Sequence, residues 1–558
     1  MEKLKPKLFS VMKTYTKAQF AKDVIAGIIV AIIALPLSIA LALASGVTPE
    51  KGLYTAIVAG FVISFLGGSR VQISGPTAAF ATIVAGIVAK NGMEGLAVAT
   101  MMAGVMLIIM GILKFGRLLR FIPYTITTGF TFGIAVTILI GQIKDFLGLT
   151  FQTKPIETIE KVEACIESIT TINYQALIIG AASLAILIIW PKINSKIPGS
   201  LIAVIAAAAL VKVLKMDVNT IGSLYEISSK PPTFQVPTMN FSMIKTLMPD
   251  AFTIAVLAGI ESLLSCVVAD GMIGSKHRSN MELVAQGAGN IFSSLFGGIP
   301  ATGAIARTAA NVKNGGRTPI AGMVHSITLF LILVVLMPYA SLIPMPTIAA
   351  ILFMVAYNMS EWREFVELIK TSPKSDIMVL VATFSLTVIF DLVIAIEVGV
   401  VMAAILLMKR MADVADVQSW KYIEDDAADD DMGDSDNIRL RKVPKHTLVY
   451  EINGPMFFGA ADKFLNISLD FHVKVVVLRM RSVPAMDVNA LHALRSVLKI
   501  CEKKHITVIL SHVQEQPLRM MQKAGFDKQI GAENICENID KALERATELL
   551  KLSAQLEG

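Results

Sequence analysis

Residues 294–307 have the sequence Ser294-Leu-Phe-Gly-Gly-Ile-Pro-Ala-Thr-Gly-Ala-Ile-Ala-Arg307, which interrupts a long apolar region with glycines, a proline and an arginine. A similar phrase, Ser64-Phe-Leu-Gly-Gly68, occurs near the start of the chain and is followed by Gly75-Pro76. Each phrase precedes an apolar segment that is too short to cross a bilayer. Broken helices persist inside a membrane only where they line a cavity or are buried in protein. The two interruptions therefore mark candidate functional positions in a membrane protein.

The composition supports an integral membrane protein. Of 558 residues, 54% are hydrophobic and 17% are charged, whereas soluble chains have about 25% charged residues. Basic residues lie in loops between apolar runs, so the net charge of +6 does not indicate a nucleic-acid partner. Neither a P-loop nor metal-like cysteine or histidine spacing occurs, so we expect no cofactor, no metal and no enzymatic activity.

The apolar runs predict an all-α polytopic domain of fourteen segments, two of them half-helices. The segments are 21–45, 51–67, 75–90, 95–113, 121–146, 173–191, 199–215, 247–271, 281–297, 303–312, 318–338, 343–357, 375–391 and 392–408. Lys and Arg clusters, from Lys3–Lys22 to Lys409-Arg410, all fall on the side of the N-terminus. We therefore expect a multi-pass protein of the cell membrane with both termini in the cytoplasm.

Seven segments lie in each half, so the second half has the opposite orientation to the first. The repeats cover about 21–215 and 247–410, and the transporter domain as a whole covers 21–410 after a cytoplasmic segment at 1–20. Broken segments at matching positions of two inverted halves indicate a transporter binding site.

The C-terminal part has a different composition. An acidic run at 424–434 predicts a solvated linker over 411–437. Beyond it, 438–558 is predicted to be a small α/β domain. Its strands are predicted at 447–453, 474–480 and 506–510, and its helices at 459–468, 488–503, 515–523 and 538–550.

The half-helix starts are suited to an anion. Free N–H groups and a partial positive charge occur at a helix N-terminus. The first half-helix presents Thr77 and Ala78 and the second presents Ile305 and Ala306. In inverted repeats these ends face one another and hold the anion between them.

Charged residues in the apolar segments are further candidates. Arg307 either attracts the anion or forms a salt bridge between the halves. Glu261 is either a proton carrier or the partner of Arg307, and Ser265 lies one helical turn after it. Asp23 is explained by the dipole of the first helix. Asp391 and Glu397 are interpreted as scaffold, with the role of Glu397 left open.

Several motifs resemble the sulfate permease family, solute carrier family 26. They are Leu35-Pro-Leu37 with Gly52-Leu-Tyr54, Gly67-Gly-Ser-Arg70, Ile73-Ser-Gly-Pro-Thr77, Ala306-Arg-Thr308 and Asn314-Gly-Gly-Arg-Thr318. The resemblance covers almost the whole chain, and the C-terminal domain is similar to a STAS domain. It implies core and gate subdomains, an elevator-like movement of the core, and a homodimer.

The resemblance also implies roles for individual residues. It places Leu37 and Leu41 in the anion site with Thr77, Ala78, Ile305, Ala306 and Arg307. Glu261 resembles the proton-coupled branch, because the sodium-coupled bicarbonate branch has aspartate there and threonine at the position of Ser265. Gly116-Arg-Leu-Leu119, Gln142-Ile-Lys-Asp-Phe-Leu-Gly148 and Asn358-Met-Ser-Glu361 are similar to the bacterial C4-dicarboxylate transporters of the family.

The STAS-like domain lacks one feature of the regulatory members of its class. Met486-Asp-Val-Asn489 has no hydroxyl where a phosphorylatable serine follows the aspartate. The domain is therefore interpreted as a docking or folding module, with a possible cytoplasmic protein partner, in preference to a nucleotide-binding one.

Together these observations predict a secondary active transporter of sulfate or a C4-dicarboxylate, coupled to protons. The alternatives are a sodium-coupled bicarbonate transporter, an anion exchanger or channel, a nucleobase carrier of the same architecture, and a membrane-tethered signalling protein. The identity of the anion and the coupling ion remain open from sequence.

Overall fold

The computed structural model describes residues 4–116, 123–153, 155–194, 197–390, 392–414, 416–420, 443–457 and 473–557. The chain forms two compact units, Met1–Val401 and Met402–Gly558. The predicted helix at 459–468, the acidic run at 424–434 and Asp391 lie outside the described residues.

The first unit contains the apolar helices of the predicted transporter domain, the last of which continues beyond Val401. Those of the first repeat are α1 (Lys17–Ala44), α2 (Pro49–Leu66), α3 (Ala81–Ile112), α4 (Tyr124–Leu147), α5 (Tyr174–Ile193) and α6 (Gly199–Leu214). Those of the second are α7 (Phe241–Ile273), α8 (Ser279–Leu295), α9 (Ile305–Lys313), α10 (Ile320–Leu336), α11 (Met345–Ser360), α12 (Lys374–Ile389) and α13 (Leu392–Val414). Each lies at a predicted segment.

Local sequence signals explain where several of these helices begin and end. The side chain of Thr16 caps α1 by accepting a hydrogen bond from Gln19 N, and Asn240 caps α7 in the same way. Gly148 and Gly274 adopt left-handed conformations after α4 and α7. A side-chain acceptor at the N-terminus and a left-handed residue at the C-terminus satisfy the free backbone groups of a helix.

Helix α3 contains two of the fourteen predicted segments. Gly92 interrupts it with φ 66° and ψ −173°, a conformation that is essentially restricted to glycine. A half-helix therefore precedes Gly92, and a full segment follows it. Together with the nine-residue α9, this confirms, for the residues that the structure describes, fourteen segments of which two are half-helices.

In the described part of the chain, seven helical stretches are long and apolar enough to cross a membrane. They are Lys17–Ala44, Pro49–Leu66, Ala78–Ile112, Tyr124–Leu147, Tyr174–Ile193, Phe241–Ile273 and Ile320–Leu342, and Gly199–Leu214 is a shorter apolar helix. Of the remaining segments, α8, α9, α11 and α12 have 17, 9, 16 and 16 residues and are therefore shorter than a usual membrane span.

The helices pack in two groups that match the predicted core and gate. The core comprises α1, α2, α3, α7, α8, α9 and α10, and the gate comprises α4, α5, α6, α11 and α12. Small residues allow close packing in the core. A Cβ atom at Gly287 would lie 2.4 Å from the carbonyl oxygen of Gly104, so α3 and α8 are in direct backbone contact.

The second unit is a five-stranded sheet with helices on both faces. The first unit contains only short strands in its described part, β1′ (Ser74–Gly75) and β2′ (Thr302–Gly303). In the second unit the strands β3 (Asp416–Trp420), β4 (Thr447–Asn453), β5 (Val475–Ser482), β6 (Thr507–Ser511) and β7 (Ile535–Cys536) follow in spatial order. Strand β3 is antiparallel to β4, and the other pairs are parallel. The helices are α14 (Val488–Lys503), α15 (Glu515–Lys523), α16 (Phe526–Ile530) and α17 (Ile539–Glu557).

The sheet corrects one boundary. The linker was predicted over 411–437, but α13 continues to Val414 and β3 extends the sheet over Asp416–Trp420. The prediction was wrong there because the partner of β3 is β4, about thirty residues later, and a long-range pairing leaves no periodic signal in a five-residue strand.

Candidate functional site

Two short strands bring the half-helices together. β1′ (Ser74–Gly75) and β2′ (Thr302–Gly303), so named because they lie in the first unit, pair antiparallel, with Ser74 opposite Gly303 and Gly75 opposite Thr302. Ala304 N also donates to Ile73 O at 2.9 Å. The half-helices that follow these strands therefore start beside one another, from opposite directions.

Buried polar side chains hold the extended segments in place. Asn290 binds Ala301 twice, because its Nδ2 donates to the carbonyl oxygen and its Oδ1 accepts from the backbone nitrogen, each at 2.9 Å. Asn311 Nδ2 donates to Val71 O at 2.8 Å. A broken helix in a membrane is stable only when its backbone groups find such partners.

The start of each half-helix lacks a side-chain cap. Thr77 precedes the helical turn Ala78–Phe80, which continues into α3, and Ala304 precedes α9; neither residue accepts a capping hydrogen bond. Ala78 is buried, whereas Ile305 is 43% exposed. In the described structure, the first amide groups of both half-helices therefore have no capping acceptor on the preceding side chain, which is the arrangement that an anion can satisfy.

Arg307 lies at the junction of the two repeats. Its side chain is 2% exposed, and its Nη2 donates to Pro76 O of the first repeat at 3.1 Å. Its Nε and Nη1 have no hydrogen-bond partner in the described part of the chain. Gly75 leaves room for it, because a Cβ atom there would lie 2.7 Å from Nη1. Arg307 thus connects the halves through a carbonyl oxygen, and within the described residues it forms no salt bridge.

Glu261 belongs to the same site but contacts a different residue. Thr77 Oγ1 donates to Glu261 Oε2 at 3.1 Å, so the carboxylate is joined to the start of the first half-helix. In the described part of the chain Glu261 is not ion-paired with Arg307. Ser265, which is fully buried, donates to Thr308 Oγ1 at 3.3 Å and so supports the residue next to Arg307.

Leu37 and Leu41 lie on α1, which packs against α9. Leu41 is 2% exposed and Leu37 is partly buried. The structure thus gathers the starts of both half-helices, Arg307 and Glu261 in one region, with α1 beside it.

Glu282 is a buried residue of this region that sequence reasoning missed. It has no exposed surface, and its carboxylate accepts hydrogen bonds from Gly68 N, Ser69 N, Gln72 Nε2, Ser262 Oγ and Gln286 Nε2. A signal was present, because Glu282, Gln286 and Asn290 recur every four residues along one face of α8. His325 on α10 was missed too: it is fully buried, and within the described ranges neither ring nitrogen has a hydrogen-bond partner.

Asp23 has a larger role than the dipole interaction predicted for it. Its side chain accepts from Tyr15 Oη at 3.0 Å, from Arg317 N at 2.8 Å and from Thr318 Oγ1 at 2.5 Å. Burial and the contact with Asp23 raise the pKa of Tyr15 to about 12. Asp23 therefore joins the start of α1 to the segment that precedes α10.

Comparisons with known sequences agree with this architecture. The pattern of the sulfate permease family matches residues 20–383, and that of the STAS domain matches residues 437–542. A putative sulfate transporter of Bacillus subtilis, YvdB, is 39% identical over 535 residues, covering 95% of this chain and 98% of the relative. The bicarbonate transporter BicA of Picosynechococcus is 32% identical over 555 residues, covering 94% of each chain.

Solved structures share the fold. Murine solute carrier 26 family member A9, an anion transporter in the inward-facing state, superimposes with a TM-score of 0.87 at 20% identity, over 98% of this chain and 94% of that one. The transmembrane domain of a cyanobacterial BicA superimposes with a TM-score of 0.63 at 29% identity, over 68% of this chain and 98% of that one. These relatives are transporters and not enzymes. The chain therefore belongs to the sulfate permease family, as a multi-pass membrane transporter of anions with a C-terminal STAS domain.

Proposed function

We propose that the protein is a secondary active transporter that carries sulfate together with protons. The observation that carries this proposal is the buried guanidinium of Arg307 beside the starts of both half-helices, because two of its nitrogens have no partner among the described residues. A buried charged donor without a partner is costly, and a doubly charged oxyanion would satisfy it.

The anion would be bound by the starts of both half-helices. Thr77 and Ala78 would contribute from the first repeat, and Ile305 and Ala306 from the second. Arg307 would supply the positive charge, and Leu37 and Leu41 would close the site from α1. Sulfate is favoured as substrate because YvdB, which aligns with nearly the whole chain, is described as a sulfate transporter.

Glu261 would couple transport to protons. Its hydrogen bond to Thr77 links the carboxylate to one of the two half-helix starts that would hold the anion. A negative charge at this place opposes an anion nearby, and a proton on Glu261 removes that opposition. Binding of anion and proton would then favour one another, with Ser265 supporting Thr308 behind the site.

Transport would proceed by an elevator-like movement of the core against the gate. The paired strands and both half-helices belong to the core, so the binding site can move as one body. We further propose that the protein is a homodimer with both termini in the cytoplasm, and that the STAS domain is a docking or assembly module.

Uptake of labelled sulfate into proteoliposomes tests the coupling. With the outside more acidic than the inside, we expect the wild type to accumulate sulfate, and Glu261→Gln to lose this accumulation. Glu261→Gln should still exchange external for internal sulfate, because the anion site is intact. Glu261→Asp is the matched control and should keep pH-driven uptake. If Glu261→Gln accumulates sulfate with unchanged pH dependence, proton coupling through Glu261 is wrong.

A sodium-coupled bicarbonate transporter is the second candidate. The identity with BicA favours it, since 32% identity extends over 94% of each chain. Uptake driven by a sodium gradient at equal pH, with sulfate, bicarbonate and a C4-dicarboxylate as competing substrates, separates the two candidates. Uptake that requires a counter-anion inside the vesicle would indicate an exchanger instead, and uptake of uracil would indicate a nucleobase carrier.

A further inference from the structure

An apolar groove runs along the boundary between core and gate. Its volume is 390 Å³, within the range of about 300–1,000 Å³ that is usual for ligand sites. Leu35 and Ile39 of α1 and Ile332 of α10 line it on the core side. On the gate side, α6 lines it from Leu201 to Lys212.

The length of the groove matches one leaflet of a bilayer. Leu201 and Lys212 are eleven residues apart on α6, which corresponds to about 16 Å along the helix axis. The hydrocarbon core of a bilayer is about 30 Å thick, so one leaflet contributes about half of that. A single acyl chain that lies parallel to α6 would therefore extend from one end of the groove to the other.

The two ends of the groove differ in chemistry. Along α6 the lining runs from the apolar Leu201 to Lys212, whose side chain is exposed, and the exposed Tyr339, which follows α10, also lines the groove. Tyrosine is enriched at the headgroup level of membranes, and lysine extends its amine towards that level. A lipid phosphate would therefore meet the positive charge of Lys212 at the end where an acyl chain leaves the groove.

We propose that this groove is a binding site for one glycerophospholipid, with an acyl chain between α1, α6 and α10 and its phosphate on Lys212. With the N-terminus in the cytoplasm, the site faces the outer leaflet. Because the groove is lined by both core and gate, the bound lipid must shift when these groups move past one another. The lipid is therefore expected to influence the rate of transport.

Lipid binding to the purified full-length protein tests this proposal without reference to transport. Native mass spectrometry counts the molecules of phosphatidylglycerol, or of diacylglycerol as a probe without phosphate, that bind to each variant. Ala209→Trp fills the groove. Ala206→Trp is the matched control, because Ala206 is also exposed on α6 but does not line the groove. Lys212→Gln removes only the charge.

We expect Ala209→Trp to lower phosphatidylglycerol affinity by about tenfold or more, with Ala206→Trp unchanged. Lys212→Gln should bind phosphatidylglycerol no better than diacylglycerol, whereas the wild type should prefer phosphatidylglycerol. Equal affinity in Ala209→Trp and Ala206→Trp would overturn the groove assignment. If Ala209→Trp does not elute as folded protein, the test is the binding of the two lipids to Lys212→Gln and to the wild type. If Lys212→Gln still prefers phosphatidylglycerol over diacylglycerol as the wild type does, the proposal is wrong.

Discussion

Arg307 is held at one side of its guanidinium only, since Nη2 donates to Pro76 O while Nε and Nη1 have no hydrogen-bond partner among the residues that the structure describes. We expect Arg307→Gln to weaken anion binding by about 10- to 150-fold, because hydrogen bonds to charged groups contribute about 1.5–3 kcal/mol. The affinity of purified protein for sulfate, measured by calorimetry, checks this.

Lys313→Gln is the matched control for Arg307. Lys313 is exposed at the other end of the same short helix, so its charge is lost without any change at the site. Sulfate affinity should stay within about threefold of the wild type in this variant. An equal loss in both variants would mean that the effect is a general loss of positive charge and not a contact of Arg307.

Glu282 stabilises the core through hydrogen bonds that only a carboxylate can accept all at once. In Glu282→Gln one oxygen becomes an amide nitrogen, so at least two of the five donors around it lose their acceptor. We expect a loss of about 2–6 kcal/mol in the free energy of unfolding. Thermal unfolding in detergent measures it, with Glu163→Gln on an exposed helix as control. Unchanged stability in Glu282→Gln would contradict the role of this network.

At the scale of the element, the close approach of the two repeats depends on Gly75, which has no side chain. Gly75→Ala places a Cβ atom 2.7 Å from Arg307 Nη1, so the guanidinium must move away from Pro76. We expect sulfate uptake to fall by about tenfold or more while the protein still folds. Size-exclusion chromatography and uptake assays measure the two effects separately.

Gly86→Ala is the control for the Gly75 variant, because nothing lies within 4 Å of a Cβ atom at Gly86 in the first half-helix. This variant should transport at the wild-type rate and unfold at an equal or slightly higher temperature, since alanine favours a helix. Equal uptake by both variants would show that the clash at Gly75 is relieved elsewhere.

The elements themselves were largely predictable. Runs of apolar residues predicted every membrane segment to within a few residues, because long hydrophobic stretches are the strongest local signal in a sequence. The partners of each helix were not predictable. Most of these helices are apolar all round, so no polar face indicates which side is buried. The contact of Gly104 with Gly287 joins positions 183 residues apart and leaves no local trace.

The site was predictable in part for a related reason. The Gly/Pro interruptions predicted the half-helices. The position of Arg307 within an apolar segment predicted it as a candidate site residue. The five donors to Glu282 come from α7, α8 and the segment before the first half-helix, so only the folded chain assembles them.

At the scale of the whole molecule, the second unit has its own sheet and its own apolar core on each face. We expect a fragment of residues 413–558 to fold alone and to unfold cooperatively. A fragment of residues 437–558 begins where the match to the STAS domain begins. It lacks β3 and therefore leaves the edge of β4 unpaired. The shorter fragment should aggregate more and be less stable, by about 1 kcal/mol for each lost hydrogen bond.

Light scattering and chemical denaturation of the two fragments check this boundary. Equal solubility and stability would mean that β3 adds nothing to the domain, and that the sheet effectively begins at β4.

The phrase that precedes each half-helix also shows where the repeats differ. Thr77 and Arg307 both stand thirteen residues after the first serine of their phrase, at Ser64 and Ser294. The start of the first half-helix thus presents a hydroxyl bonded to Glu261, and the start of the second presents a permanent cation. Gene duplication would have supplied two equal half-helix starts, and the two phrases have since diverged at many positions, so that the starts now differ in chemistry. Selection for a new substrate or a new coupling ion could then change one half-helix start and leave the other unchanged.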